Sequence, residues 1–141
     1  MDLNLKDKVI MVAAGSRGLG FGIAEACAQE GANVCVASRS QEKVDAAVLE
    51  LGKYGNGVQG TTLDAQDPIS SLDWSDGVVS RFGRVDGLVV NAGGPPAGRF
   101  DDFDEDAWYD AFELTLMSAV RMIRSVLPTM REQGSGSILT I

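Results

Sequence analysis

Apolar runs of strand length alternate with helical patterns along all 141 residues of this chain. Strand-like runs lie at Val9–Ala13, Asn33–Ala37, Gly57–Leu63, Asp86–Val90 and Ser137–Ile141. Between them, apolar positions recur at helical spacing over Gly18–Glu30, Gln41–Tyr54, Pro68–Phe82 and from about Glu105 to Glu132. Short apolar runs separated by helices indicate strands buried on both faces, hence an α/β protein with a doubly wound parallel sheet. Local punctuation agrees with these boundaries. Asp67-Pro68 sets a capping carboxylate before a proline in a first helical turn. Gly31 follows Gln29-Glu30 where a left-handed cap would end a helix. Pro128 falls inside the last helix and predicts a kink or a local break. In that helix Phe112, Leu116, Ala119, Ile123 and Leu127 share helical spacing and read mostly as core.

Composition narrows the class. A chain of this length fits one domain, residues 1–141, and can bury roughly two-thirds of its unfolded surface. No apolar run approaches the roughly 18 residues of a membrane span, and Met1–Lys8 carries both signs of charge without a secretory apolar segment. No membrane association and a cytoplasmic location are the resulting expectations. The net charge of −8 argues against general affinity for nucleic acid and fits a solvated acidic surface. Asp101-Asp102-Phe103-Asp104-Glu105-Asp106 reads as a solvated loop whose carboxylates favour a helix amino end, in preference to a metal site. Cys27 and Cys35 sit at core-like positions and read as structural thiols. The chain contains no histidine, which removes histidine general bases and most zinc sites.

Four features should meet at the carboxyl ends of the strands, where open parallel sheets bind ligands. The first is the small-residue turn Ala14-Gly15-Ser16-Arg17-Gly18-Leu19-Gly20 between the first strand and a helix. Strand, glycine turn and helix in that order point main-chain N–H groups and a helix amino end at one spot, suited to a pyrophosphate. The second is Ser38-Arg39-Ser40 at the end of the second strand. A free ribose 2′-hydroxyl calls for a carboxylate there, whereas a 2′-phosphate calls for arginine and hydroxyls. Arg39, with Arg17 from the turn, favours NADP over NAD, so NADPH is expected to bind better than NADH; Arg39 also fits an ordinary surface arginine. The third is Asp64-Ala65, whose carboxylate can accept from an adenine amino group or cap the next turn. The fourth is Asn91-Ala92-Gly93-Gly94, where small residues leave room for a cofactor and Asn91 can pin backbone. Pro95-Pro96-Ala97-Gly98 reads first as a stiff turn and second as a border of the pocket.

Together, Ala13-Ala14-Gly15-Ser16-Arg17-Gly18-Leu19-Gly20 and Asn91-Ala92-Gly93 resemble the short-chain dehydrogenase/reductase family. Its glycine motif is commonly Thr-Gly-x-x-x-Gly-x-Gly, followed later by Asn-Ala-Gly. The resemblance covers the whole chain and is loosely similar to 3-oxoacyl-[acyl-carrier-protein] reductases. It implies a Rossmann-type sheet of order 3-2-1-4-5, a nicotinamide cofactor, a small carbonyl or alcohol substrate, and a homo-oligomer packed on the outer face of the long helix. Ala13 stands where Thr is usual and Ala14 where the first Gly is usual. Gly15 is expected to supply part of the lost flexibility, with weakened cofactor binding as the consequence.

The family's catalytic set is an Asn on the long helix, a Ser after the fifth strand, and a Tyr with a Lys four residues on. Thr115 falls where the Asn is expected, no Tyr-x-x-x-Lys occurs, and no lysine follows Lys53. No catalytic residue is therefore assigned, and the chain reads as the cofactor half of an NADP-dependent oxidoreductase, the carboxyl-terminal catalytic part being absent. The alternative is a non-catalytic nucleotide-binding module, or one whose apolar edge Ser137–Ile141 is completed by a partner strand. A phosphate-loop ATPase would need Gly-Lys-Ser/Thr, and a methyltransferase an acidic residue near Ser38-Arg39; neither is present.

Overall fold

The computed structural model describes residues 2–141; of the amino-terminal octapeptide only Met1 lies outside the described residues. Its strands are β1 (Val9–Ala13), β2 (Asn33–Ser38), β3 (Val58–Thr62), β4 (Gly87–Val90) and β5 (Ser137–Thr140). Its helices are α1 (Gly18–Gln29), α2 (Gln41–Leu51), α3 (Pro68–Phe82), α4 (Glu105–Phe112) and α5 (Ser118–Gln133). All strand pairs are parallel, in the order β3-β2-β1-β4-β5. This is the order expected from the sequence.

The layering follows from β1, every residue of which is buried. Side chains alternate across a strand, so β1 feeds two cores at once. Val9, Met11 and Ala13 face α3 and α5, where they join Trp74, Val78, Met122 and Val126. Ile10 and Val12 face α1 and α2, where they join Ala24, Ala28, Ala47 and Leu51. No described helix is long and apolar enough to cross a membrane.

The helix ends follow their local chemistry. Asp67 accepts from the Ile69 N–H at 2.9 Å and caps α3, with Pro68 in the first turn. Asp104 does the same for α4 through Ala107 N–H at 3.0 Å, so the acidic run serves a helix start; no metal cluster forms among the described residues. Gly31 is left-handed at φ +86°, as the end of α1 requires. Helix α2 stops at Leu51 and tightens into a 3₁₀ turn, Gly52–Tyr54, where a single helix to Tyr54 was expected.

The long carboxyl-terminal helix differs from expectation in two respects. Its irregularity is a π turn at Glu113–Met117, while α5 continues unbroken through Pro128. Pro128 and Arg124 are both exposed. The carbonyl that loses its partner to the proline therefore faces water, and the cost is small. The π turn also shifts the buried face. Ser118, Met122, Val126 and Met130 are buried, whereas Phe112 and Leu116 are 48% and 51% exposed. Ala119 and Ile123 pack only at the margin of the core.

Both cysteines are free thiols. Burial pushes Cys35 up to about 12, with the charge of Arg81 opposing, and raises Cys27 as well. Neither thiol reads as reactive.

The amino ends of three strands are tied together at Asp86. Its carboxylate accepts from Val9 N–H at 2.9 Å and from Arg84 at 2.6 and 2.7 Å, with Lys8 at 3.7 Å. Its main chain donates to Val9 and accepts from Ser137. Burial raises the Asp86 pKa, but the hydrogen bonds from Arg84 and Val9 and the charges of Arg84 and Lys8 outweigh it, leaving the group below its usual value. A lowered folded-state pKa contributes stability above the ordinary carboxylate range and loses it as pH falls through the folded-state value. Asp86→Asn is expected to cost about 1–2 kcal/mol at pH 7, with the exposed arginine and lysine discounted for screening. Urea denaturation of wild type and variant should show the gap closing as pH falls from about 5 toward 3. A gap independent of pH would assign the effect to packing.

Candidate functional site

Strands β1 and β4 are neighbours, yet the chain leaves them toward opposite faces of the sheet. Their carboxyl ends therefore open a crevice between them. The crevice is a cleft of about 730 Å³.

One wall is the turn after β1. Gly15 N–H donates to Ala37 O at 3.2 Å, which holds the turn against β2. A methyl group on Gly15 would meet Val12 O at 2.8 Å and Val36 Cγ1 at 2.9 Å, and one on Gly20 would meet Asn91 Nδ2 at 2.9 Å and the Ala14 carbonyl oxygen. Gly18 is left-handed at φ +57°, with open space where a side chain would stand. Small residues are thus required below the turn, and room remains above it. Arg17 occupies the cap position of α1 without a side-chain hydrogen bond, and no acid lies in the first turn. The helix amino end is electrostatically open to an anion.

The residue that departs from the usual glycine motif carries the strain. Ala14 is left-handed at φ +48°, whereas Gly15 is absent from the positive-φ set. The expectation that Gly15 would take up the flexibility is corrected: the left-handed position is Ala14 itself. For a residue with a Cβ this costs on the order of 1–2 kcal/mol.

The turn contributes Ala14, Ser16, Arg17, Gly18 and Leu19 to the cleft lining, the end of β2 contributes Ser38 with Arg39 directly after it, and the loop after β3 contributes Asp64 and Ala65. Asn91, Ala92 and Gly93 line it from the end of β4. Gly15 and Gly20 lie beneath, as packing positions, and do not line it. Asp64 Oδ1 accepts from Gln66 N–H at 3.0 Å, so one carboxylate oxygen caps the turn. Asn91 places its amide beside Gly20.

Ser40 and Gly94, both part of the sequence features, line the cleft as well, whereas Lys43, Leu63, Gln66, Leu114 and Met122 were not singled out from sequence. Lys43 was within reach, because it lies four residues beyond Arg39 at the start of a predicted helix. Leu114 and Met122 depend on the π turn, which no pattern announced. Thr115 is exposed and does not line the cleft; its hydroxyl donates to Ala111 O at 2.6 Å. Its side chain is spent on its own helix.

The turn Pro95–Gly98 borders a second, smaller hollow of about 280 Å³ with Phe100, Phe103 and Trp108. Phe100 and Trp108 pack at 5.4 Å between ring centroids, and Arg99 N–H donates to Asp102 at 2.7 Å. The two prolines do not line the main cleft.

The family model described as short chain dehydrogenase matches residues 8–141. The chain belongs to the short-chain dehydrogenase family. It is 38% identical over 141 residues to the uncharacterized oxidoreductase YvrD of Bacillus subtilis, covering all of this chain and 53% of that protein. It is 34% identical over 138 residues to human dehydrogenase/reductase SDR family member 4, covering 97% of this chain and 50% of that protein. L-sorbose reductase of Gluconobacter frateurii, solved with NADPH and L-sorbose, superposes with a TM-score of 0.94 at 33% identity, over 99% of this chain and 54% of that one. A 7α-hydroxysteroid dehydrogenase solved with NADH and 7-oxo glycochenodeoxycholic acid gives 0.94 at 30% identity, over 99% and 55%. This short-chain dehydrogenase chain spans about half the length of the curated relatives it matches.

The fit to a dinucleotide can be tested on the cleft itself. Ser38 lines the cleft, and its Oγ is buried with no hydrogen-bond partner among the described residues. The uncapped start of α1 and the open space above Gly18 lie on the same cleft. The buried hydroxyl and the helix start have the right polarity for a nucleotide's hydroxyl and phosphate oxygens.

If Ala14 holds the strain, Ala14→Gly should raise the thermal midpoint by about 2–4 °C, the gain in the left-handed region outweighing glycine's unfolded-state entropy. Ala14→Val should lower it. Differential scanning fluorimetry of the three chains decides; a destabilised glycine variant would remove the strain argument.

Proposed function

We propose that this chain is the NADP(H)-binding part of a short-chain oxidoreductase acting between a carbonyl and an alcohol. The observation that carries the reading is the end of the cleft beside β2. Ser38, Arg39 and Ser40 line it without an acidic residue in that segment, and Arg17 and Lys43 line the same cleft. Among the described residues none of the three cations makes a salt bridge. A 2′-phosphate is the ligand group that such a set favours, by charge and by hydrogen bonding. The relatives named above were solved with NADPH in one case and NADH in the other, so membership alone does not choose.

In this reading the start of α1 holds the pyrophosphate, Arg17, Ser38, Arg39 and Lys43 hold the 2′-phosphate, and Asp64-Ala65 borders the adenine. Asn91-Ala92-Gly93 borders the nicotinamide half. The nicotinamide, when bound, supplies hydride transfer to or from the substrate. These residues contribute binding and orientation, and none is a proton donor to substrate, since the chain contains no Tyr-x-x-x-Lys. A homo-oligomer and a cytoplasmic location belong to the same reading, the former supported by the half-exposed Phe112 and Leu116.

A second reading, a non-catalytic module completed by a partner strand, is favoured by β5. Among the described residues it pairs only with β4, and Leu139 and Ile141 are 56% and 57% exposed. Titration of the 141-residue chain with NADPH and NADH, followed by nicotinamide fluorescence, tests the first. NADPH should bind at least about tenfold tighter, and Arg39→Asp should abolish the difference. Equal affinities, or a preference untouched by that substitution, would overturn the 2′-phosphate assignment. The same preparation should reduce no carbonyl compound with NADPH; measurable turnover would locate a proton donor among these residues.

A further inference from the structure

We infer that Arg121 is a positioning residue, latching the loop after β3 onto the long helix and so fixing the wall beside the adenylate half of the nucleotide. The inference rests on the nucleotide reading above. Arg121 lies in the first turn of α5. Its Nη1 is 2.8 Å from Glu113 Oε2, in the π turn, and donates to the main-chain oxygen of Gln66 at 3.2 Å. Its side chain is only 18% exposed, although it sits at a rim.

One anchor of this guanidinium lies in the cleft wall, and the other is a chain neighbour of a wall residue. Gln66 lines the cleft itself; Leu114, next to Glu113, and Met122, next to Arg121, line it too. One cation therefore joins three segments that must keep a fixed spacing if the wall is to hold its shape. The other hydrogen bonds of the loop are local or at its start. Asp64 N–H donates to Ser70, Gln66 N–H and Asp67 N–H donate to Asp64, and Leu63 N–H donates to Ser38 O. Among the described residues, Arg121 supplies the hydrogen bond from α5 to this loop.

The π turn explains why the pair can form. Glu113 and Arg121 are eight residues apart, which in a regular α-helix overshoots two turns by about 80°. A π turn takes about one more residue than an α turn, so here eight residues bring the two side chains to the same face. Thr115 and Ser118 hydroxyls donate to Ala111 O and Leu114 O and hold the irregular segment. The helical irregularity thus serves to aim an arginine at the cleft wall.

The test uses the 141-residue chain with Arg121→Met, Arg121→Lys and Glu113→Gln. Two readouts are taken: amide hydrogen exchange of residues 64–67, and calorimetric titration with 2′,5′-ADP. A partly exposed ion pair contributes little to global stability, so the thermal midpoint should stay within about 2 °C. Arg121→Met should speed exchange of residues 64–67 by about tenfold and leave the sheet amides unchanged. It should also weaken 2′,5′-ADP binding by roughly fivefold to tenfold, with Arg121→Lys restoring part of both effects. Unchanged exchange in the loop, or a rise spread across the whole sheet, would overturn the latch. Loop exchange that rises with 2′,5′-ADP affinity unaltered would overturn its role in binding. Failure of the unsubstituted chain to bind 2′,5′-ADP would sink the nucleotide reading, and the exchange data would still decide the latch.

Discussion

Between Ala13 and Gly18 the main chain must leave the buried centre of the sheet and begin a helix without opening a gap. It does so by lying against its neighbours. Gly15 is pressed on Val36 and on the Val12 carbonyl, and Gly20 on the Ala14 carbonyl and the Asn91 amide. That closeness positions the rest of the cleft. It brings the start of α1 beside the ends of β2 and β4, so residues distant in sequence share one crevice. It also forces Ala14 into the left-handed region, because the path is set by contacts on both sides and the side chain must follow. A strained residue at the mouth of a ligand-sized cleft shows where packing has overruled local preference.

The two ends of the sheet divide the work. At the amino ends Asp86 satisfies the Val9 N–H and links β1, β4 and β5 by side chain and main chain. At the carboxyl ends polar groups are left open: the start of α1 is uncapped and Ser38 Oγ is unpartnered. Polar groups are tied together at the amino ends of the strands, and hydrogen-bonding capacity is left open at the carboxyl ends. Parallel strands make this separation possible, since all their carboxyl ends fall on one side.

Much of this was legible in the sequence because its causes are local. The buried strands β1, β2 and β4 appear as near-continuous apolar runs, whereas β3 is only half-buried and β5 is exposed; Asp67-Pro68, Gly31 and the glycine turn state their own geometry. Strand order followed from family resemblance. What stayed hidden depends on tertiary register. Phe112 and Leu116 share helical spacing with Ile123, yet the π turn moves them off the buried face and brings Ser118 and Met122 onto it. Pro128 looked like a break because a sequence does not reveal that its orphaned carbonyl faces water. Gln66 became visible as a cleft residue only once the loop after β3 was in place, whereas Lys43 was already legible from its place one turn beyond Arg39.

The charge distribution connects the cleft to the whole surface. The chain carries a net charge of −8, and a solvated acidic surface repels anions in general. Against that background Arg17, Arg39 and Lys43 line one cleft without an ion-pair partner among the described residues. Three cations near one another repel, a cost that water screens while they remain exposed. A multiply charged anion entering the cleft would relieve that repulsion and gain hydrogen bonds together, while a ligand lacking the charge would gain neither. Selectivity of this kind comes from the free cleft's own unfavourable arrangement as much as from attraction to the ligand. Two arginines in this chain differ in the same respect: Arg121 is paired with Glu113, whereas Arg39 makes no ion pair among the described residues.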